Sequence, residues 1–423
     1  MKKALLLVLL LARTAAADPL DVFGFDARAK AMGNAATAMA TDASSAFYNP
    51  AGGAFAADPH LQVGYSGAAM LLRINDRDAE VSNPRGFGLG LGLPIRCGVQ
   101  CTLAFDLALY LPDQFISRIQ TIPASEPHFV LLDNDVDRIV VNPTLALRWG
   151  KIAVGGGLTL LSDAAGNGIE FTVGATPGGK PVSEAALDVA LPSRAAPLAG
   201  ILVEPLPGLR LGASYRGELD LRLRLDILAH VMVPGGGDTI ISIRALNFYT
   251  PRKLSFGAAW DPSEHWTLAV DASYYNWSNF SGGVPDLKIL VDLMFAPTLL
   301  DGTFPADRLH DTMTVRAGGE WRTAIGPDRE GALRAGLAYE PSPLPPQVLE
   351  TSFADGDRVI VTAGAGVRWA HMGGILEKPL AIDAAIEWHK LVAQTTQKID
   401  PALPGFSTGG SMLHFALTAT AAF

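Results

Sequence analysis

The sequence predicts an all-β chain that crosses a membrane as an antiparallel β-barrel of about fourteen strands. Three observations carry this. From His60 onward, apolar and polar residues alternate with period two in blocks of about ten, as barrel strands do. The links between blocks are alternately short and long. Beyond the N-terminal segment no apolar run approaches the roughly 18 to 20 residues that a spanning helix needs. The stretch from Ile289 to Leu300 is short and is interrupted by Asp292 and Pro297.

Alternation is clearest in Asp311 to Arg322. Met313, Val315, Ala317 and Trp321 point one way, and Thr314, Arg316, Glu320 and Arg322 the other. The split recurs in Leu333, Ala335, Leu337 and Tyr339 against Arg334 and Glu340. It recurs again in Ile382, Ala384, Ile386 and Trp388 against Asp383, Glu387 and His389, and in Trp266, Leu268, Val270, Ala272 and Tyr274 against Thr267, Asp271 and Ser273. The aromatics Trp266, Trp321, Tyr339 and Trp388 sit near the ends of the apolar faces, where a lipid-facing wall carries its girdles. A soluble sandwich also alternates, but the connections argue against it. Tight turns join Ile95 to Cys101, Gly150 to Ile152, Glu204 to Leu209, Pro262 to Trp266 and Ala324 to Gly331. Leu111 to Asp137, Ser162 to Ser193 and Ser278 to His310 are long. Short links on the periplasmic side and long ones outside mark a bacterial outer-membrane barrel. The bounds of strands around Leu221 to Leu228 and Thr239 to Phe248 are the least defined.

Composition agrees. Of 423 residues only 18% are charged, against about 25% in a typical soluble protein, and 44 Gly and 29 Pro accompany a mean hydropathy of +0.24. A net charge of -9 without any basic cluster argues against nucleic acid as a partner. The two cysteines, Cys97 and Cys101, are too sparse for a metal site. They are either a small disulfide across a turn or two free thiols. No cofactor or metal is expected.

The N-terminus predicts export. Lys2 and Lys3 form a positive region, Ala4 to Ala12 an apolar core too short to span a bilayer, and Ala15-Ala16-Ala17 a cleavage site before Asp18. Residues 1–17 are therefore read as a signal peptide, 18–59 as a separate segment and 60–423 as the barrel, placed in the outer membrane. The last strand, Ser411 to Phe423, sets Leu413, Phe415, Leu417, Ala419, Ala421 and Phe423 on one face. It must pair with the first strand to leave no open edge. Its terminal Phe resembles the signal read by the barrel-assembly machinery.

Residues 18–59 do not alternate. Phe25-Asp26-Ala27-Arg28-Ala29-Lys30-Ala31-Met32-Gly33-Asn34-Ala35-Ala36 is followed by Asp42-Ala43-Ser44-Ser45-Ala46-Phe47-Tyr48-Asn49-Pro50-Ala51-Gly52. Such small, Ala-rich stretches suit short helical turns packed closely inside something. This order, directly before the first strand, resembles the N-terminal hatch of the FadL-like outer-membrane transporters of long-chain fatty acids and toluene-type hydrocarbons. Thr250-Pro251 leading into Leu254 to Trp260, the strand end Tyr274-Tyr275-Asn276-Trp277, the run Arg334 to Pro345 and Asp355-Gly356-Asp357-Arg358 look like its later strands.

The resemblance implies a monomeric fourteen-stranded barrel plugged by a hatch with short helices. It implies passive, hatch-gated uptake of a hydrophobic small molecule, with outer-membrane lipids around the wall. Asn49, Pro50, Ala51 and Gly52 are then the gating residues. Release by hatch movement or by a lateral opening at a kink in the third strand is expected, yet that strand, Cys101 to Leu111, has no Gly. Gly86, Gly88, Gly90 and Gly92 in the preceding strand, at the wrong spacing for a nucleotide loop, leave room for the plug.

A fatty acid needs a cation for its carboxylate. Arg316, Arg334 and Arg368 are the candidates, set against a wall of mutually paired charges. A general diffusion porin and a barrel enzyme acting on lipids are the alternatives. An enzyme is not favoured: no nucleophile motif is present, and His389, Glu387 and Asp383 read as a polar lumen ladder. Asp133, Asp135 and Asp137 lack the Gly and closing Glu of a calcium loop.

Overall fold

Alternating blocks with one apolar face and one polar face can bury neither on its own. Closing them into a ring turns the apolar faces to lipid and the polar faces to a lumen. The computed structural model does this. It describes residues 19–113, 122, 124–132, 138–162, 165–175, 181–190, 193–232, 238–280, 286–291, 298–302, 308–371 and 377–423. Residues 1–17, and with them the export segment, lie outside the described residues, as do Asp133, Asp135, Asp137, Asp292 and Pro297.

Fourteen strands form the barrel. The first seven are β1 (His60–Ile74), β2 (Arg85–Arg96), β3 (Cys101–Pro112), β4 (Val140–Trp149), β5 (Ile152–Ser162), β6 (Ser193–Leu206) and β7 (Leu209–Arg216). The rest are β8 (Arg252–Ser263), β9 (Trp266–Asn276), β10 (Thr312–Gly326), β11 (Arg329–Glu340), β12 (Arg358–Trp369), β13 (Leu380–Thr396) and β14 (Phe406–Ala422). Each pairs antiparallel with its neighbours. β1 meets β14 from His60↔Ala422 to Ile74↔Thr408 and β2 from His60↔Gly92 to Gly67↔Arg85, so the ring has no edge. Phe423 N–H donates to the Pro59 carbonyl at 3.0 Å, which fastens the two ends of the ring together.

Leu219–Met232 and Asp238–Thr250 are strands, but they are not in the wall. β7 and β8 already pair directly, from Leu209↔Trp260 to Arg216↔Lys253, which leaves no gap for them. They rise as a hairpin into a separate six-stranded sheet with Ala165–Ala175, Pro181–Ala190, Asp286–Val291 and Thr298–Gly302. The long links at Ser162 to Ser193 and Ser278 to His310 therefore carry strands of their own. Alternation alone does not separate a wall strand from a strand in a sheet above the wall.

Short links lie at one end of the barrel with Pro59 and Phe423, and long ones at the other, which sets the periplasmic and extracellular sides. Cys97 and Cys101 form a disulfide across the periplasmic β2–β3 turn, with Cα atoms 5.0 Å apart. The apolar faces do point outward. Leu333, Leu337, Phe415 and Leu417 are all more than half exposed, and Trp266, Trp321, Tyr339 and Trp388 stand among the exposed aromatics near the ends of the wall.

The lumen is filled by the N-terminal segment. It contains helices α1 (Pro19–Phe23), α2 (Ala27–Ala31) and α3 (Ser45–Tyr48) and a 3-10 turn, Pro50–Phe55. Asp26 caps α2 by accepting from Ala29 N–H at 3.1 Å, and Gly33 and Asn34, both at positive φ, end it. Ala29, Met32, Ala35, Ala36, Ala38 and Met39 are buried against lumen-facing Ala104, Ala146, Ala153, Ala259 and Ala269. Alanine on both sides lets backbone approach backbone.

Three cross-strand glycine pairs take this to its limit: Gly155↔Gly200, Gly212↔Gly257 and Gly318↔Gly336. A Cβ on Gly200 would lie 2.0 Å from Asn49 Oδ1, one on Gly318 2.3 Å from the Met32 carbonyl and one on Gly336 2.3 Å from Gly33 N. Of the glycine row in β2, Gly88 and Gly90 do face the plug, at Phe25 and Ala43, whereas Gly86 abuts Tyr110 and Gly92 abuts His60.

A side chain at Gly336 suits the strand but not the plug. Gly336→Val is expected to yield a barrel that keeps its heat-modifiable migration but exposes the plug to protease. Trypsin cleaves after Lys30, a residue 1% exposed in the wild-type protein. Wild-type protection of Lys30 in the variant would contradict the packing described.

Candidate functional site

The plug is held by hydrogen bonds spread round the wall. Ala27 N–H donates to Thr418 Oγ1 of β14 at 3.2 Å, and Thr37 N–H to Asp271 Oδ2 of β9 at 2.8 Å. Thr362 of β12 accepts from Gly33 N–H and donates to the Ala31 carbonyl, at 3.1 and 2.8 Å. Asn34 Nδ2 donates to Glu387 of β13 at 3.0 Å, and Gln62 of β1 donates to Asp26 at 2.8 Å. Arg216 at the end of β7 reaches Asp21 at 2.6 Å and the Phe47 carbonyl at 2.8 Å. Most of these wall groups are lumen-facing residues of alternating strands. Alternation in the wall supplies the donors and acceptors that short, interrupted helices leave unsatisfied.

Asn49 is fully buried. Its Nδ2 donates to the Thr37 carbonyl at 2.8 Å and to the Ile201 carbonyl of β6 at 3.1 Å, and its Oδ1 accepts from Ala51 N–H at 3.2 Å. One side chain thus joins two turns of the plug to the wall. Pro50 and Ala51 press on Gly155 of β5, and Gly52 lies against the Ala40 carbonyl.

Arg316 and Arg334 are both engaged. Arg316 donates to Glu340 at 2.6 Å, Ser273 Oγ at 3.2 Å and Tyr275 OH at 3.2 Å. Arg334 donates to Glu320 at 2.6 Å and Asp383 at 2.7 Å. Glu320, 1% exposed, also takes a bidentate pair from Arg28 of α2, both contacts at 2.9 Å. Buried charges are tolerated when paired in this way. Arg368 is exposed at the periplasmic end of β12, in a vestibule of about 260 Å³ beneath the plug. Arg28, Arg322 and Arg334 line that vestibule together with Glu320, Glu330 and Asp383.

His389, Glu387 and Asp383 go to different partners. The His389 ring meets Phe23 of the plug edge-on at 5.1 Å, Glu387 lies 2.8 Å from His414 Nδ1, and Asp383 pairs with Arg334. Phe23 also stacks on His414 at 4.5 Å.

Above the plug, on the extracellular side, lies a pocket with an aromatic wall of Tyr249, Tyr275 and Trp277 and a floor of Asp21 and Val22. Its roof is Leu131 and Leu132, from the β3–β4 loop. That loop is pinned by His128, whose N–H donates to the Ser352 carbonyl at 3.3 Å and whose ring meets Phe353 at 5.5 Å. Burial pushes the His128 imidazole down to about 4. The free volume left in the pocket is about 50 Å³, enough for roughly one or two waters.

Three cations border it. Arg216 is paired with Asp21, and Arg358 with Glu340 at 3.2 Å. Lys253 makes no ion pair with a described residue; its Nζ lies 5.3 Å from the centre of the Tyr275 ring. Sequence reasoning passed over Lys253 because it opens β8, beside the break where the chain returns from the outer hairpin. Its partner, Tyr275, is on β9.

A closed antiparallel barrel whose lumen is filled by its own N-terminus defines a plugged outer-membrane barrel. A family model described as outer membrane protein transport protein (OMPP1/FadL/TodX) matches residues 103–423, and the chain belongs to that family. No curated protein matches it by sequence. Among solved structures it is similar to a FadL homologue of Pseudomonas aeruginosa, at 18% identity and a TM-score of 0.57, over 98% of this chain and 99% of that one. The toluene transporter TodX of P. putida is 16% identical, with a TM-score of 0.57, over 95% and 99%. The toluene transporter TbuX of Ralstonia pickettii is 15% identical, with a TM-score of 0.52, over 96% and 100%. At these identities the likeness is one of fold.

Proposed function

We propose that this protein carries hydrophobic small molecules, long-chain fatty acids or aromatic hydrocarbons, inward across the outer membrane as a monomer by passive diffusion. The observation that carries this reading is the aromatic pocket held between a loop roof and a plug hydrogen-bonded to the wall. A wide water-filled pore for polar solutes does not fit a lumen so filled. Transport membership of the family and the toluene transporters of like fold support the reading. Residues 1–17 direct export, and Phe423 is the mark read by the assembly machinery. Asn49, Pro50, Ala51 and Gly52 act as the hinge of the hatch, since Asn49 ties its two turns to β6.

The charged vestibule below the plug is a poor path for an apolar molecule, because every group lining it must stay solvated or paired. The wall offers another path. β3 pairs without a break on both sides, from Gly86↔Pro112 to Arg96↔Thr102 and from Cys101↔Trp149 to Tyr110↔Val140, so it has no opening. Between β4 and β5 the ladder lapses from Val141↔Leu160 to Thr144↔Gly157. Pro143 has no N–H to give there. On the lumen side of the gap, Asn142 Oδ1 and Thr159 Oγ1 are buried without a hydrogen-bond partner. This seam is the exit.

Lys253 is the group that meets a ligand carboxylate, in place of Arg316 and Arg334, which are occupied by Glu340, Glu320 and Asp383. Lys253→Ala is expected to weaken binding of a long-chain fatty acid to purified protein by about tenfold, the worth of one charged contact, and to leave toluene binding unchanged. Equal binding of the fatty acid by wild type and variant would identify a hydrocarbon carrier instead.

A disulfide engineered across the seam, Asn142→Cys with Thr159→Cys, is expected to stop uptake when oxidised and to restore it when reduced. Full uptake with the bridge closed would place the exit elsewhere.

A further inference from the structure

On the outside of the barrel the apolar wall thins where β1, β13 and β14 reach the extracellular side, with Val392 of β13 exposed beyond the rest. Leu71, Trp388 and Leu413 face outward there, each more than 40% exposed. One step further out stand two exposed cations, Arg73 on β1 and Lys390 on β13. They flank β14, where Arg73 is the partner of Gly409 and Lys390 the partner of Ser411. Neither makes an ion pair with a described residue, although Asp78 is the backbone partner of Arg73 in the hairpin that follows β1.

Between these cations the wall is hollow. The β13–β14 register shifts between Leu391 and Gln394, and β14 turns at Gly410, whose φ is +125°. A Cβ on Gly410 would lie 2.4 Å from the Leu71 carbonyl, so only glycine fits there; one on Gly409 would meet Ala393 at an ordinary 3.5 Å. The result is an open notch of about 320 Å³, lined by Arg73, Asp76, Ala393, Thr395, Ser407 and Gly409. Its lining, which also includes Gln394 and Thr408, offers one cation, one carboxylate, one amide and three hydroxyls, above a greasy wall.

We propose that this notch, with Lys390 at its rim, seats the phosphorylated sugar headgroup of an outer-leaflet lipid. The phosphate lies between Arg73 and Lys390, because cations at headgroup level that the protein leaves unpaired match an anion in the membrane. Asp76, Thr395 and Ser407 meet the sugar hydroxyls. The acyl chains run down the face made by Leu71, Leu413, Phe415 and Trp388. The Gly409-Gly410 kink and the β13 bulge, which have no place in the passage through the lumen, make room for the sugar. The inference is independent of what the lumen carries.

The test compares bis-phosphorylated lipid A with its dephosphorylated form, added to the purified full-length protein in detergent and read by native mass spectrometry. Wild-type protein is expected to retain the phosphorylated lipid about tenfold more than the dephosphorylated one, the ratio for a charged contact. The double variant Arg73→Ala, Lys390→Ala is expected to lose that preference. Gly409→Leu, which keeps both cations and fills the notch, is expected to lower retention as well. Heat-modifiable migration verifies that each variant is folded. Equal retention of the two lipids by wild-type protein would overturn the proposal without reference to any variant. So would unchanged retention by folded variants.

Discussion

The structure depends on one constraint: a lumen lined with buried charges must satisfy them from within. A wall of alternating strands inevitably points half its residues inward, and here many of those are Arg, Glu, Asp and Thr. The plug answers them. Glu320 is clamped between Arg28 of the plug and Arg334 of the wall, Asp271 takes the Thr37 N–H, and Thr362 shares the Gly33 N–H with the Lys30 carbonyl. Remove the plug, and the wall is left with Glu320 and Asp271 short of partners. The dependence is mutual, since Asn34 and Asn49 need Glu387 and the Ile201 carbonyl.

From this constraint the rest follows. Backbone must come close to backbone, so glycine faces glycine across β5–β6, β7–β8 and β10–β11, and alanine fills the plug. The plug divides the lumen into a periplasmic vestibule lined by charge and an extracellular pocket lined by Tyr249, Tyr275 and Trp277. An apolar molecule has reason to enter the second and none to leave by the first. The β4–β5 ladder lapses at Pro143, which has no N–H to give.

Much of this was legible in the sequence because it is local. Met313-Val315-Ala317 against Thr314-Arg316 fixes which face of β10 meets lipid, and Asn49-Pro50 announces a capped turn. Partners of lumen charges were not legible, because they are set by register between strands far apart in the chain. Nothing local to Arg334 says that Glu320 and Asp383 flank it, so Arg316 and Arg334 looked available and are not. Lys253 has Arg216 and Tyr275 as its two register partners, neither of them an acid, and that too needs the register. The glycine pairs had a signal too: Gly318 and Gly336 fall on the inward parity of their strands, but the pairing needs the register. Leu219–Met232 and Asp238–Thr250 alternate like wall strands and rise above the wall, a difference that only β7–β8 pairing decides.

Hydrogen bonds spread round the wall hold the plug in the lumen, and an intact plug is expected to shut it to water and ions. Single-channel conductance of the purified protein in planar bilayers tests it most directly, with wild type beside Asn49→Ala. Wild-type protein is expected to show no sustained conductance, and the variant, with the plug released from β6, to show frequent openings. A steady, porin-like conductance in wild-type protein, unchanged by the substitution, would contradict the account.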